Sequence, residues 1–224
     1  MGVRVVLEVA PKRAFASALD WPGWARAGRT EEEALEALLA YAPRYAAVTR
    51  RAKVSFDPPS TRGGVEVVER VTGGGGTEFG VPGVSAAEEA DPILPAQLKR
   101  MLSLLRATWA SFDAASRSAD GVTLRVGPRG GGRQVPKIAV HVREAEAAYL
   151  ASLGSRPPEA SDETSERSMK LLRAAFANAI TARATGRPVP NANRTRTLWS
   201  PRYAVRRAAW HVLDHAWEIE DRSG

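Results

Sequence analysis

Apolar positions follow two different periods along this chain. Near the start, Val3 to Val9 alternate in part and are β-branched, and Arg13 to Leu19, after Pro11, reads as a partner strand, so a short hairpin is expected. Thr30 and Glu33 then form the T-x-x-E pattern of a helix start, with Glu31 and Glu32 suited to the positive end of the helix dipole. Leu35, Leu38, Leu39 and Ala42 recur at helical spacing, predicting a helix that Pro43 kinks before it ends near Thr49. Val65-Glu66-Val67-Val68-Glu69-Arg70-Val71 reads as a further strand. Gly73 to Gly76 and Pro82-Gly83 interrupt regular structure, which places a boundary between residues 72 and 92.

From Pro95 onward the spacing is helical almost throughout. A first helix runs through Leu98, Met101, Leu102, Leu105, Trp109 and Phe112, a second from about Pro136 to Leu153, a third from about Glu163 to Ala184 and a fourth from Pro201 to Asp221. Ser200-Pro201 is a strong start for the last, serine capping and proline taking the first helical position. Gly127 to Gly132 and Gly186 to Asn193 read as loops. The expected fold is an α+β N-terminal module, a short β sheet plus helix over residues 1–80, followed by an all-α four-helix up-down bundle over residues 92–222.

Composition narrows the chemistry. The chain of 224 residues is 44% hydrophobic, ample for a core, and has no cysteine, which excludes disulfides, thiolate catalysis and any thiolate-held metal. A metal here has only His, Asp and Glu to bind it. The net charge of +7 invites a nucleic-acid partner, but the charge is dispersed, and no basic run is interleaved with aromatics that stack bases, so a solvated arginine surface is the expected reading. No apolar run approaches the roughly 20 residues needed to span a bilayer. The first apolar segment is short and bracketed by Arg4 and Glu8, unlike a signal peptide, so a soluble, cytoplasmic protein without a membrane partner is expected. The pattern admits a homodimer without specifying one.

Histidine is scarce, and its placement is the most informative feature. Of three histidines, His211 and His215 are one turn apart on the fourth helix, the spacing that lets two imidazoles reach one metal. Arg207, Asp214 and Glu218 fall on the same stripe, between Trp210 and Trp217 on one side and Val212 and Ile219 on the other. This predicts a stripe facing a cavity walled by the tryptophans. His141 shares a face of the second helix with Ile138, Ala145 and Ala148 and should also look inward. Alone it would read as a hydrogen-bonded core histidine; with the pair, three nitrogen ligands to one divalent ion become the better reading. Asp214 and Glu218 are the candidates to orient the imidazoles or act as general base, the alternative being carboxylates paired with Arg207 or Arg222. In the loop before the second helix, Arg129 and Arg133 are candidates to hold an anionic group of a small-molecule substrate, the alternative being a solvated linker. The Gly-Lys-Ser/Thr ending of a phosphate loop and the G-x-S-x-G of a serine hydrolase are both absent.

His141 within Lys137-Ile138-Ala139-Val140-His141-Val142-Arg143-Glu144-Ala145-Glu146, with H-x-x-x-H at His211 and His215, gives residues 95 to 222 a resemblance to the DinB-like metalloproteins. That superfamily includes YfiT-like proteins and mycothiol-dependent maleylpyruvate isomerases. The resemblance implies a divalent ion, zinc or nickel, held by these three histidines with water completing the site. It further implies transfer or isomerisation dependent on a low-molecular-weight thiol cosubstrate. Trp21-Pro22-Gly23-Trp24 followed by Ala27-Gly28-Arg29-Thr30-Glu31-Glu32-Glu33-Ala34 makes residues 1 to about 50 resemble a HicB-like antitoxin module, with Trp24 where that turn commonly has cysteine and no helix-turn-helix repressor segment behind it. Two other functions stay open: a non-catalytic, antitoxin-like partner-binding protein with a structural metal, and a metal-dependent hydrolase.

Overall fold

The computed structural model describes residues 2–127, 132–159, 166–192 and 198–224. Strands β1 (Val3–Ala10) and β2 (Arg13–Ala18) form the expected antiparallel hairpin, with Ala10 opposite Arg13 across a two-residue turn. Strand β3 (Ala25–Gly28) adds antiparallel to β2, and β4 (Val65–Thr72) lies parallel to β1 on the other side, giving the sheet order β3-β2-β1-β4. Joining two parallel strands requires a crossover, here helices α1 (Glu31–Ala40) and α2 (Ala42–Ala52). The Thr30 hydroxyl caps α1 by accepting from the Glu33 amide at 3.2 Å, while the Glu33 carboxylate accepts from the Arg29 amide at 2.9 Å. The single kinked helix expected here is two helices, parted at Tyr41 with Pro43 opening the second.

Both faces of the sheet are covered. Val3, Val5 and Leu7 alternate onto α1 and α2 with Ala14 and Ala16, and the core they share includes Leu35, Leu38 and Tyr45. Trp24 is fully buried there and donates its indole N–H to the Leu38 carbonyl at 2.8 Å. On the opposite face Phe15 meets Trp210 edge to face at 5.9 Å. A short helix, α3 (Gly75–Phe79), follows β4. Four long helices complete the chain: α4 (Pro95–Ser118), α5 (Val135–Ser152), α6 (Glu166–Ala184) and α7 (Pro201–Ser223). Their core is built from Leu105, Phe112, Ile138, Val142, Leu150, Phe176, Ile180, Ala208, Val212 and Ile219 among others. No described helix is long and apolar enough to cross a membrane.

The expected architecture of an α+β module followed by an all-α four-helix up-down bundle is overturned. The described residues hold a four-stranded mixed sheet and seven α-helices, and the last helix belongs to two cores at once. Ala208, Val212 and Ile219 of α7 point into the helical core, whereas Leu213 and Trp217 sit in the core between the sheet and α1. Helical periodicity identifies the apolar stripes of such a helix but not which partner each stripe meets, and α7 has stripes on two sides. The turn at Pro22-Gly23 packs directly on it: Gly23 has φ +94°, and a Cβ there would meet Leu213 Cδ1 at 2.8 Å and the Ala209 backbone at 3.2 Å.

Candidate metal centre

Helices α5 and α7 bring His141, His211 and His215 together. One ligand nitrogen from each lies within 4.8 Å of the others, and among the described residues no carboxylate joins the group. Pro136 in the first turn of α5 favours a helix start, and the preceding Gln134 fixes its position by bonding both the amide and the carbonyl of Leu124, at 2.8 and 3.3 Å. Ile138 and Val142, both fully buried, anchor the α5 face, leaving His141 half-buried between them. On α7 the i, i+4 spacing brings His211 and His215 edge to face with ring centroids 4.7 Å apart, and His141 lies 5.1 and 5.0 Å from them.

One spacing of the three fits a tetrahedral ion. Nitrogens held tetrahedrally at about 2.0–2.1 Å from zinc are about 3.3–3.4 Å apart, and Nε2 of His141 lies 3.2 Å from Nε2 of His211. His215 donates through Nδ1 to Glu218 at 2.8 Å, which fixes its tautomer and leaves Nε2 as a ligand. Burial, aided by the neighbouring His215 and by the positive charge of Arg207, holds the His211 imidazole well below its usual pKa, and burial lowers His141 likewise. Both are therefore held as neutral bases, the form that binds metal. The hydrogen bond from His215, reinforced by Arg222, keeps the Glu218 carboxyl below its ordinary range despite partial burial.

Glu218 continues into a chain of bonds that reaches Arg125 and Arg133, ahead of α5. Arg222 donates to Glu218 at 2.6 Å, to the Arg133 carbonyl at 2.9 Å and to the Arg125 carbonyl at 2.7 Å. Gly132 has φ +141°, and a Cβ there would lie 2.5 Å from Arg222 Nη2. This glycine admits the arginine of α7, where sequence suggested an anion cradle. Arg133 is exposed, yet near enough that its charge helps to depress His141 and His211. Arg129 lies outside the described residues.

Asp214 is placed elsewhere. It accepts from Arg26 of β3 at 3.1 Å, on the sheet side of α7, so only Glu218 of the two candidate carboxylates touches the triad. The tryptophans do not act as a pair of walls either. Trp217 packs on Tyr41 at 5.2 Å, while Trp210 bridges between Phe15 and the His211 ring, 6.2 Å away. The aromatic side of the centre comes instead from Tyr149 of α5, 5.8 Å from His211, with Trp199 and Tyr203 beyond it. Helical spacing carries one signal for Tyr149: it lies eight residues after His141, on the same face.

No family model matches the chain, and no curated protein or solved structure matches it. The chemistry of the centre is accordingly read from its residues. Three nitrogen donors, one carboxylate behind them and a half-exposed approach over His141 and His215 can hold a divalent ion.

Proposed function

We propose that this protein is a metal-dependent enzyme acting on small molecules, with His141, His211 and His215 holding zinc or nickel. The observation that carries this reading is the convergence of three imidazole nitrogens within 4.8 Å without a fourth protein ligand among the described residues. An ion that only stapled the helices would gain most from a closed set of four. A divalent ion so held lowers the pKa of a coordinated water or thiol toward neutrality. Glu218 keeps the His215 ring in its liganding tautomer and stands beside the centre as a carboxylate able to take a proton. With no cysteine in the chain, a sulfur nucleophile has to come from a small thiol, which agrees with the DinB-like resemblance carried by His141 and the H-x-x-x-H pair.

The test has two stages. Elemental analysis of protein purified without a metal-affinity tag should find about one equivalent of zinc or nickel per chain, and a protein that binds neither under any loading condition overturns the reading. Metal-loaded protein is then offered electrophilic substrates with and without small thiols. Turnover that needs both metal and thiol supports transfer or isomerisation; turnover without thiol identifies a hydrolase.

A further inference from the structure

Arg207 lies one turn before His211 on α7 and is 9% exposed. Its guanidinium nevertheless donates no hydrogen bond among the described residues. Nη1 is buried without an acceptor, and among the described residues no carboxylate pairs with the side chain. The adjacent Arg206 shows what this fold does with a buried guanidinium that serves structure: it gives Arg206 both oxygens of Glu89, at 2.6 and 2.8 Å, and the Val84 carbonyl at 2.8 Å. A buried cation with an unpartnered donor and no carboxylate partner is unfavourable for folding, and persists where something other than stability requires it.

The surroundings of Arg207 are aromatic. Its guanidinium carbon lies 5.1 Å from the Tyr149 ring centroid and 4.7 Å from that of Trp210. Ring faces attract a cation but offer no acceptor to its N–H groups. Tyr149 also contacts Trp199 at 5.2 Å, and Trp199 contacts Tyr203 at 4.9 Å, so an apolar wall extends from the guanidinium. The same Tyr149 ring touches His211, joining this wall to the triad. Glu218, the acid of the centre, is already engaged by His215 and Arg222, and Glu8, whose charge reaches Arg207, by Thr77 and the Gly83 and Val84 amides.

We propose that Arg207 is the anion receptor of the centre: the small molecule that the triad handles carries a carboxylate, which takes the guanidinium fork while Tyr149 and Trp199 flank its apolar part. The planar, two-oxygen carboxylate matches the fork in shape, and its single negative charge balances the single unpaired cation. Residues four apart on a helix are about 6 Å apart along its axis, so a carboxylate on Arg207 and a reacting atom at the triad fit within one small molecule. The placement of the reacting atom rests on the metal-enzyme reading above. The carboxylate site itself does not, and the test separates the two.

Benzoate is the probe and inorganic phosphate the comparison, titrated into metal-free and zinc-loaded protein with tryptophan fluorescence and calorimetry as readouts. Wild-type protein should bind benzoate in both forms and prefer it to phosphate. Arg207→Met should weaken benzoate at least tenfold while leaving zinc content unchanged. Arg207→Lys keeps the cation but not the fork and should weaken it by a smaller factor; it also serves as the decisive variant if the methionine protein does not fold. Benzoate affinity unchanged in the variant used, absence of binding to the wild type, or preference for phosphate overturns the proposal. Benzoate binding lost on substitution in a protein that never takes up metal leaves the receptor standing and removes only the metal-enzyme reading.

Discussion

The two sides of α7 treat similar side chains in opposite ways. Toward the sheet and the segment that follows β4, Arg206 is satisfied by Glu89 and Val84, Asp214 by Arg26, and Trp217 packs on Tyr41. Toward α5, Arg207 has no acceptor among the described residues, His211 Nδ1 is buried without a partner, and His211 Nε2 lies 3.2 Å from Nε2 of His141. Both sides are buried, so burial does not distinguish them. Completeness does: the sheet side is a finished set of interactions, and the α5 side is a set of donors and ligands with places left for something else. A fold maintains such an unfinished face at a cost in stability, and that cost marks it as the working face.

The sharpest test of the contrast is metal. Replacing His211 and His215 together by alanine should lower bound zinc from about one equivalent to none by elemental analysis, with the helical circular-dichroism signal retained. Full occupancy in the double variant breaks the comparison. Next in size is the sheet side itself. Glu89→Ala leaves Arg206 buried and unpaired and should destabilise the protein by about 3–5 kcal/mol in urea unfolding; a loss under 1 kcal/mol would mean that the pair on this side contributes no more than a surface one.

Acid should act through the working face. His211 and His141 have folded pKa values below the ordinary 6.5 because burial disfavours their charged forms. The unfolded chain therefore takes up protons first as pH falls through 6.5, and metal-free protein loses stability from there downward, toward the lower folded values, by up to about 1.4 kcal/mol per pH unit for His211 and by less for the more exposed, solvent-screened His141. Above 6.5 this contribution is fully present. Urea midpoints of metal-free wild type and His211→Phe between pH 7.5 and 5 check the sign: the variant should show the shallower decline. The smallest effect expected is the most diagnostic. Arg207→Met, the counterpart of breaking Arg206, should leave stability unchanged or raise it by about 1 kcal/mol, and a marked fall in Tm would show that the aromatic rings alone make Arg207 a structural residue.

Sequence pattern reached part of this arrangement. The hairpin, the capped start of α1 and the long helices carry local signals, and His141, His211 and His215 meet because helical spacing fixes which residues share a face. Strand β3 was not legible: Ala25-Arg26-Ala27-Gly28 has neither β-branched residues nor alternation, and it is a strand because β2 and α1 hold it there. The helical half does not close into a bundle by itself because Leu213 and Trp217 complete the core of the sheet, a pairing no local window contains. Asp214 illustrates the same limit. Its stripe position beside the histidines is as favourable as that of Glu218, and its role is decided by Arg26, 188 residues away in sequence.

That separation also has a kinetic side. At ribosomal rates of about 5–20 residues per second, strands β2 and β3 wait about 10–40 s for α7 to be made, and during that interval Phe15, Gly23 and Tyr41 lack the helix that covers them. Closing so large a loop is slow, and it comes late in folding. The helix that ends the wait also brings two of the three histidines. Neither the cover of the sheet nor the triad can therefore form before α7 has been made.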